Sequence, residues 1–216
     1  MLQEITNDGP VVERTRHKFE EAPFTAKKRL LWAAYEEMYR RGYQGSRVAR
    51  ILAAVGLTKG AFYHYFPSKL ELGYAVVDEC IARALDIIWL VPLRDATDPI
   101  ATLRSIIESS EVTSRRNAEL GCPVNNLAQE MSPIDEGFRQ RINAVFMTWQ
   151  DAIEQALRRG QVNGLVRTDA DVKATALLVL ATLEGCIGMA KHSQSMDVLE
   201  RGFKGLLGLL DGLRLQ

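Results

Sequence analysis

Between Leu57 and Lys69 the chain reads LTKGAFYHYFPSK. Phe62, Tyr63, His64, Tyr65 and Phe66 place ring-bearing side chains at five consecutive positions, with Lys59 and Lys69 on either side. A buried helix would not keep two lysines and a histidine so close, and a solvated helix would not carry so many aromatics. Tyrosine and histidine donate hydrogen bonds to phosphate oxygens, and lysine neutralises them. Together these residue types can recognise a polyanion. The alternative is an aromatic mini-core with a solvated lysine at each end, and composition alone leaves it open.

A second group that could react is the Cys122 thiol in GCPVNNLAQE. It precedes Pro123, at the expected N-cap of a helix. There the helix dipole favours thiolate, and Arg115 and Arg116 lie one to two turns upstream. Cys122 reads as a redox or electrophile sensor, or else as a buried structural cysteine. The other cysteines, Cys80 and Cys186, are far away and no CxxC occurs, so neither a disulfide framework nor a zinc knuckle is indicated. His192 and Cys186 are six apart and do not share a helix face, and His17 is isolated. A Gly-rich phosphate loop, metal-ligand spacing and a nucleophile–base signature are all missing from the sequence. The expectation is a protein that is not an enzyme, with no cofactor and no metal.

The 216 residues carry 27 Lys+Arg and 27 Asp+Glu. The charge is uneven. Residues 1–72 hold 12 basic against 8 acidic side chains, and the rest holds 15 against 19. A surplus of positive charge in the first third fits a polyanion met by that part alone. Free thiols fit a reducing cytosol. The polar N-terminus does not read as a signal peptide. The apolar run 174–190 is interrupted by Glu184 and is short for a bilayer span. A cytoplasmic protein with no membrane partner is expected.

Helices must position these groups. Residues 1–24 lack a clear period and read as an arm, locally basic at Arg14, Arg16 and Lys18. From Thr25 the helical period is plain, with Leu30, Ala34 and Met38 four apart. Gly42 stops the first helix, Ser46 can cap the second and Gly56 ends it. A third, short helix covers about 58–65, with Thr58 as N-cap. Ser68 and Glu71 have capping-box spacing and open a fourth, to about Trp89 before Pro92. Asp98-Pro99 opens a fifth that Gly121 ends. Cys122-Pro123 opens a sixth, and Ser132-Pro133 a seventh reaching Gly160. Thr168 with Asp171 opens an eighth, and a ninth runs from about Ser195 to Leu213. The fold class is all-α, with about nine helices.

A helix, Gly56 and a short second helix make the layout of a helix-turn-helix, whose second helix enters the major groove. Gly60 and Ala61 let backbone and base edges approach closely. Phe62 and Phe66, at i and i+4, should face a small core, leaving at least part of Tyr63, His64 and Tyr65 outward.

The stretch GYQGSRVARILAAVGLTKGAFYHYFPSKLEL resembles the DNA-binding signature of TetR-family transcriptional regulators, closely from about Thr25 to Val76. The resemblance divides the chain into an arm (1–24), a helix-turn-helix domain (25–72) and an effector-binding and dimerisation domain (73–216). It implies phosphate contacts from Ser46, Arg47, Lys59, Tyr63 and His64, the last near a base. Lys69 would hold the flanking phosphate, and Gly60 and Ala61 would face the groove floor. Independently of the resemblance, the Thr58 hydroxyl at the N-cap can meet a phosphate. Leu52 departs from the pattern, standing where the family usually has alanine.

The resemblance further implies a regulator, most readily a repressor, binding a palindromic double-stranded DNA operator as a homodimer. A small-molecule or redox effector would tilt the fourth helix and pull the two recognition helices out of register. The segment at Cys122 is similar to one in electrophile and oxidant sensors of this family. A helical adaptor or an activator of the same fold is the alternative. The last two helices would form the dimer, through Leu177, Leu180, Leu183, Leu199, Phe203, Leu206 and Leu210. In the ninth helix four glycines, Gly202, Gly205, Gly208 and Gly212, suggest close backbone packing. Candidates for an effector pocket are Trp89, Cys122, Asn126, Glu130, Phe146, Trp149 and Glu184, and an apolar or amphipathic ligand is the default for such a cavity.

Overall fold

The computed structural model describes residues 25–109 and 112–215. The expected N-terminal arm lies outside the described residues. Among the described residues the regular elements are helices, apart from one isolated antiparallel bridge between Val166 and Arg214. They form two compact units. One comprises residues 25–84 and 123–145, the other 85–122 and 146–215. This division by compactness differs from the functional division expected at residue 72.

In the first unit, Thr25 caps α1 (Ala26–Gly45), its hydroxyl accepting from the Lys28 N–H at 3.3 Å. Leu30, Leu31, Ala34 and Met38 form its buried face. At Gly42 the backbone leaves helical values, with φ +72° and ψ 169°, and residues 43–45 make one further turn. Gly56 ends α2 (Val48–Val55) in the left-handed conformation that glycine adopts without strain. Thr58 caps α3 (Lys59–Tyr65) by accepting from the Ala61 N–H at 3.3 Å. Ser68 caps α4 by accepting from the Glu71 N–H at 3.1 Å. Leu52 is buried, so the side chain that departs from the family's alanine is part of the core.

α4 runs through residues 69–94 as five contiguous segments: Lys69–Ala75, Val76–Ile81, Ala82–Leu85, Asp86–Leu90 and Val91–Arg94. The second and fourth are π-helical. The sequence placed its end near Trp89, because proline breaks an α-helical ladder. The wider π turn ahead of Pro92 accommodates the ring, and the helix continues. The first unit is completed by α7 (Pro123–Met131), which packs on α1, and by the start of α8 (Glu136–Val162).

In the second unit the expected fifth helix is interrupted. α5 (Pro99–Glu108) and α6 (Arg115–Leu120) are separate. Ser109 ends α5, its hydroxyl donating to the Ile106 carbonyl, and Ser114 starts α6 by accepting from the Asn117 N–H. Gly160, on the far part of α8, permits close approach: an added Cβ would lie 2.6 Å from Val166 and 2.7 Å from Pro99. α9 (Val172–Ser193) and α10 (Met196–Asp211) pack on each other across a tight connection. Asp171, not Thr168, caps α9, accepting from Lys173 and Ala174 N–H groups.

The α9–α10 packing reassigns the leucines expected at the dimer interface. Leu180, Leu183, Leu199, Phe203, Leu206 and Leu210 are buried within the chain's own core, and only Leu177 of that set is exposed. The exposed apolar surface of α9 and α10 is instead Leu177, Leu178, Met189 and Leu209, each more than half exposed. Gly202 packs tightly, an added Cβ meeting the Cys186 sulfur at 2.6 Å, whereas Gly185, Gly188, Gly205 and Gly208 face open space.

Phe62 is fully buried, and Tyr63 is 62% exposed, touching it edge-on at a ring distance of 5.0 Å. Phe62→Ala is therefore expected to lower the unfolding free energy by about 3–5 kcal/mol, and Tyr63→Ala by no more than about 1 kcal/mol. Urea titrations of the two variants measure the contrast.

Candidate nucleic-acid interface

The rings of the opening stretch divide by face. Phe62 and Phe66 point into the core, their centroids 6.3 Å apart. Tyr63 and His64 are exposed, and Tyr65 is half-buried with its ring edge-on to His64 at 4.9 Å. Thr58, Lys59 and Gly60 are exposed at the start of α3, and Ala61 is half-buried behind them. A seven-residue helix is too short to hold itself. Its cap and its two buried phenylalanines fix it, and the donors are left facing outward.

The corner between α1 and α2 is held by charge. The Glu130 carboxylate, on α7, accepts from the backbone N–H of Tyr43 at 2.7 Å and of Gln44 at 2.8 Å. The Lys69 ammonium donates to the carbonyls of Ser46 at 2.8 Å and Gln44 at 3.4 Å, and lies 4.5 Å from the Tyr43 ring centre. Turn 43–46 thus has an anion at its amide end and a cation at its carbonyl end, the arrangement its dipole favours. Burial pulls the Lys69 pKa below the ordinary lysine value, while Glu130 pulls it up. Glu37 braces the same corner, accepting from the Arg50 guanidinium, which also donates to the Gly45 carbonyl at 2.6 Å.

Several expected positions change role here. Ser46 does not cap α2. It is buried and ends α1, its N–H bonding Gly42 and Tyr43 carbonyls and its hydroxyl donating to the Tyr43 carbonyl at 2.6 Å. Its side chain is therefore turned inward, away from any phosphate. Lys69 commits two of its three donors to carbonyls. Arg47, which precedes α2, is exposed.

The expected effector residues are divided between the two units. Trp89, Phe146, Trp149 and Glu184 belong to the second unit and Asn126 and Glu130 to the first. Trp89 and Trp149 pack at a ring distance of 4.7 Å, and Phe146 lies parallel to Trp149 at 6.5 Å. Glu184 is buried. The Trp149 indole N–H is buried with no hydrogen-bond partner among the described residues. Cys122 and Asn126 are half-buried. Glu130 is the correction: its carboxylate is occupied by the backbone of turn 43–46. Burial pushes the other two thiols, Cys80 and Cys186, above the ordinary cysteine pKa.

The sequence reading missed Tyr74 and Asp135. The Tyr74 hydroxyl donates to Asp135 at 2.8 Å, and Phe138 packs edge-on against both Tyr43 and Tyr74. These contacts span more than sixty residues of chain, and no local spacing marks them.

Residues 30–76 match the model of bacterial regulatory proteins of the tetR family. Residues 99–203 match the C-terminal domain of LmrA/YxaF-like transcriptional regulators. Over 178 residues the chain is 35% identical to the transcriptional regulator AcuR of Cereibacter sphaeroides, covering 81% of this chain and 80% of that one. The chain belongs to the TetR family. It is also 26% identical over 168 residues to the HTH-type transcriptional repressor DhaR of a Mycobacterium species, across 74% of this chain and 80% of that one. A crystal structure of a regulatory TetR protein from Rhodobacter sphaeroides superposes with a TM-score of 0.75 at 30% identity, covering 84% of this chain and 97% of that one. In this TetR-family regulator α2 and α3 are the helix-turn-helix, and α3 is its second helix.

Asp135 lies below the ordinary carboxylate pKa because the Phe138 N–H and then the Tyr74 hydroxyl donate to it. A depressed folded-state pKa contributes stability that is present above the unfolded value of about 3.9 and lost as pH falls through the folded one. Asp135→Asn is expected to flatten the acid limb of the stability profile, measured as urea midpoints from neutral pH downward.

Proposed function

We propose that this TetR-family regulator is a repressor that holds a palindromic operator as a homodimer and is released from it by a small molecule. The observation that carries the reading is the face division of α3: both phenylalanines point inward, and Lys59, Tyr63 and His64 point outward. Arg47, Lys59, Tyr63 and His64 contact phosphate, with His64 near a base, and Thr58 and Gly60 let the backbone approach. The protein acts by binding, without a reaction of its own, in the cytoplasm on the nucleoid.

The homodimer forms through the exposed apolar face of α9 and α10, centred on Leu177, Leu178, Met189 and Leu209. α9 has a mean hydropathy of 1.6 over its most apolar window, of which only 39% is buried within the protomer. An apolar face of that kind calls for a cover, and open glycines beside it let two backbones come close. A two-fold pair sets the α3 helices about 34–36 Å apart, one turn of DNA. The effector sits among Trp89, Phe146 and Trp149, whose buried indole N–H supplies a donor for an acceptor on an otherwise apolar ligand. Cys122 is the thiol through which an oxidant or electrophile would act, the other two being held protonated by burial.

A footprint on DNA upstream of the encoding gene tests the reading and supplies a probe for screening effectors, with oxidants compared on Cys122→Ser. Protection of a palindrome that weakens with salt is expected; protection neither there nor in a genome-wide selection would refute it. Lys59→Ala should weaken binding alike across operator sequences and lower the log–log salt slope by about 1. Leu178→Asp should give a monomer by light scattering that no longer protects the full palindrome.

A further inference from the structure

Glu130 is the feature of the first unit that the DNA-contact reading does not use. A carboxylate on α7 reaches across to accept from two successive backbone N–H groups, 86 and 87 residues away in the chain. Those amides open turn 43–46, which leads directly into Arg47 and α2. The approach is specific. Gly42 takes φ +72°, and a Cβ there would stand 2.7 Å from one Glu130 oxygen and 2.9 Å from the other. Backbone conformation and absent side chain together make the seat for this carboxylate. Lys69, which holds the carbonyl end of the same turn, starts α4 directly after α3.

We propose that Glu130 is a positioning residue for DNA binding: by gripping turn 43–46 it sets where Arg47 and α2 lie, and so where α3 is presented. α7 is thereby tied to the corner of the helix-turn-helix without passing through α4. Any displacement of α7 that withdraws the carboxylate frees two amides and loosens that corner. The proposal rests on the DNA-binding reading above.

The sign of the charge makes the test decisive. If Glu130 were merely an anion near DNA, neutralising it would tighten binding by removing repulsion. As a positioning group, its neutralisation weakens binding. The full-length protein, Glu130→Gln and Leu127→Ala are titrated with the operator duplex recovered by footprinting, at several salt concentrations. Leu127 is buried on the same helix and makes no contact with the turn through a polar group, so its truncation reports general loosening of α7. For Glu130→Gln we expect affinity to fall roughly tenfold to a hundredfold, the range of a charge-assisted hydrogen-bond pair, with the salt slope unchanged because no phosphate contact is lost. Hydrogen exchange at the Tyr43 and Gln44 amides should quicken, and DNA should protect them in the wild type more than in the variant. Glu130→Asp, which withdraws the carboxylate by one methylene, serves if the glutamine variant does not fold. Equal or tighter binding by Glu130→Gln, or an equal loss in Leu127→Ala, overturns the proposal. Failure of the wild-type protein to bind any duplex would instead remove the DNA-binding reading, and this proposal with it.

Discussion

One turn of backbone, residues 43–46, carries the arrangement of the first unit. Its amides face a carboxylate and its carbonyls an ammonium, so the small dipole of a single turn is matched at both ends. Neither charge comes from the turn itself. Glu130 comes from α7 and Lys69 from α4, and Glu37 steadies the exit through Arg50. Three helices therefore agree on the placement of one corner. Each interaction alone is modest in water, but hydrogen bonds to a charged partner are stronger than neutral ones. The arrangement is stable as a set.

The recognition element illustrates how little of a binding helix need be structural. α3 has seven residues, and Phe62 within it and Phe66 just past its end tie it to the core. A Thr58 cap and the left-handed Gly56 fix its start. Nearly everything else is available for contact. Short helices are marginal on their own, so the rigidity DNA readout requires comes from the buried phenylalanines and from packing on α2. The buried Leu52 of α2 is part of that support.

Much of this was legible in the sequence because it is local. Gly56, Thr58, Ser68 and Asp98 act within four residues, and each sits where its chemistry places it. The split between Phe62 and Tyr63 follows from helical spacing alone. What escaped is long-range or two-sided. Ser46 can serve the helix behind it as well as the one ahead, and the Tyr43 carbonyl won the hydroxyl. Glu130 looks like any helical glutamate until the fold brings Gly42 to it. The leucines of α9 and α10 line two faces, and periodicity cannot say which face the chain covers itself. The interruption between α5 and α6 rests on serine hydroxyls bonding nearby carbonyls and amides, a competition that propensity does not resolve.

Gly42 has a consequence for how this corner can change over generations. Any other residue there meets two independent penalties, the positive φ and the collision with Glu130. Shortening the glutamate relieves only the second, and the first falls on every residue that carries a Cβ, because φ +72° with ψ 169° lies outside the left-handed helical region that asparagine tolerates. No single second-site suppressor repairs a substitution at position 42. The glycine and the glutamate are locked into one another's mutational history, and a lineage leaving this solution must rebuild the corner in at least two steps, the first of them unfit.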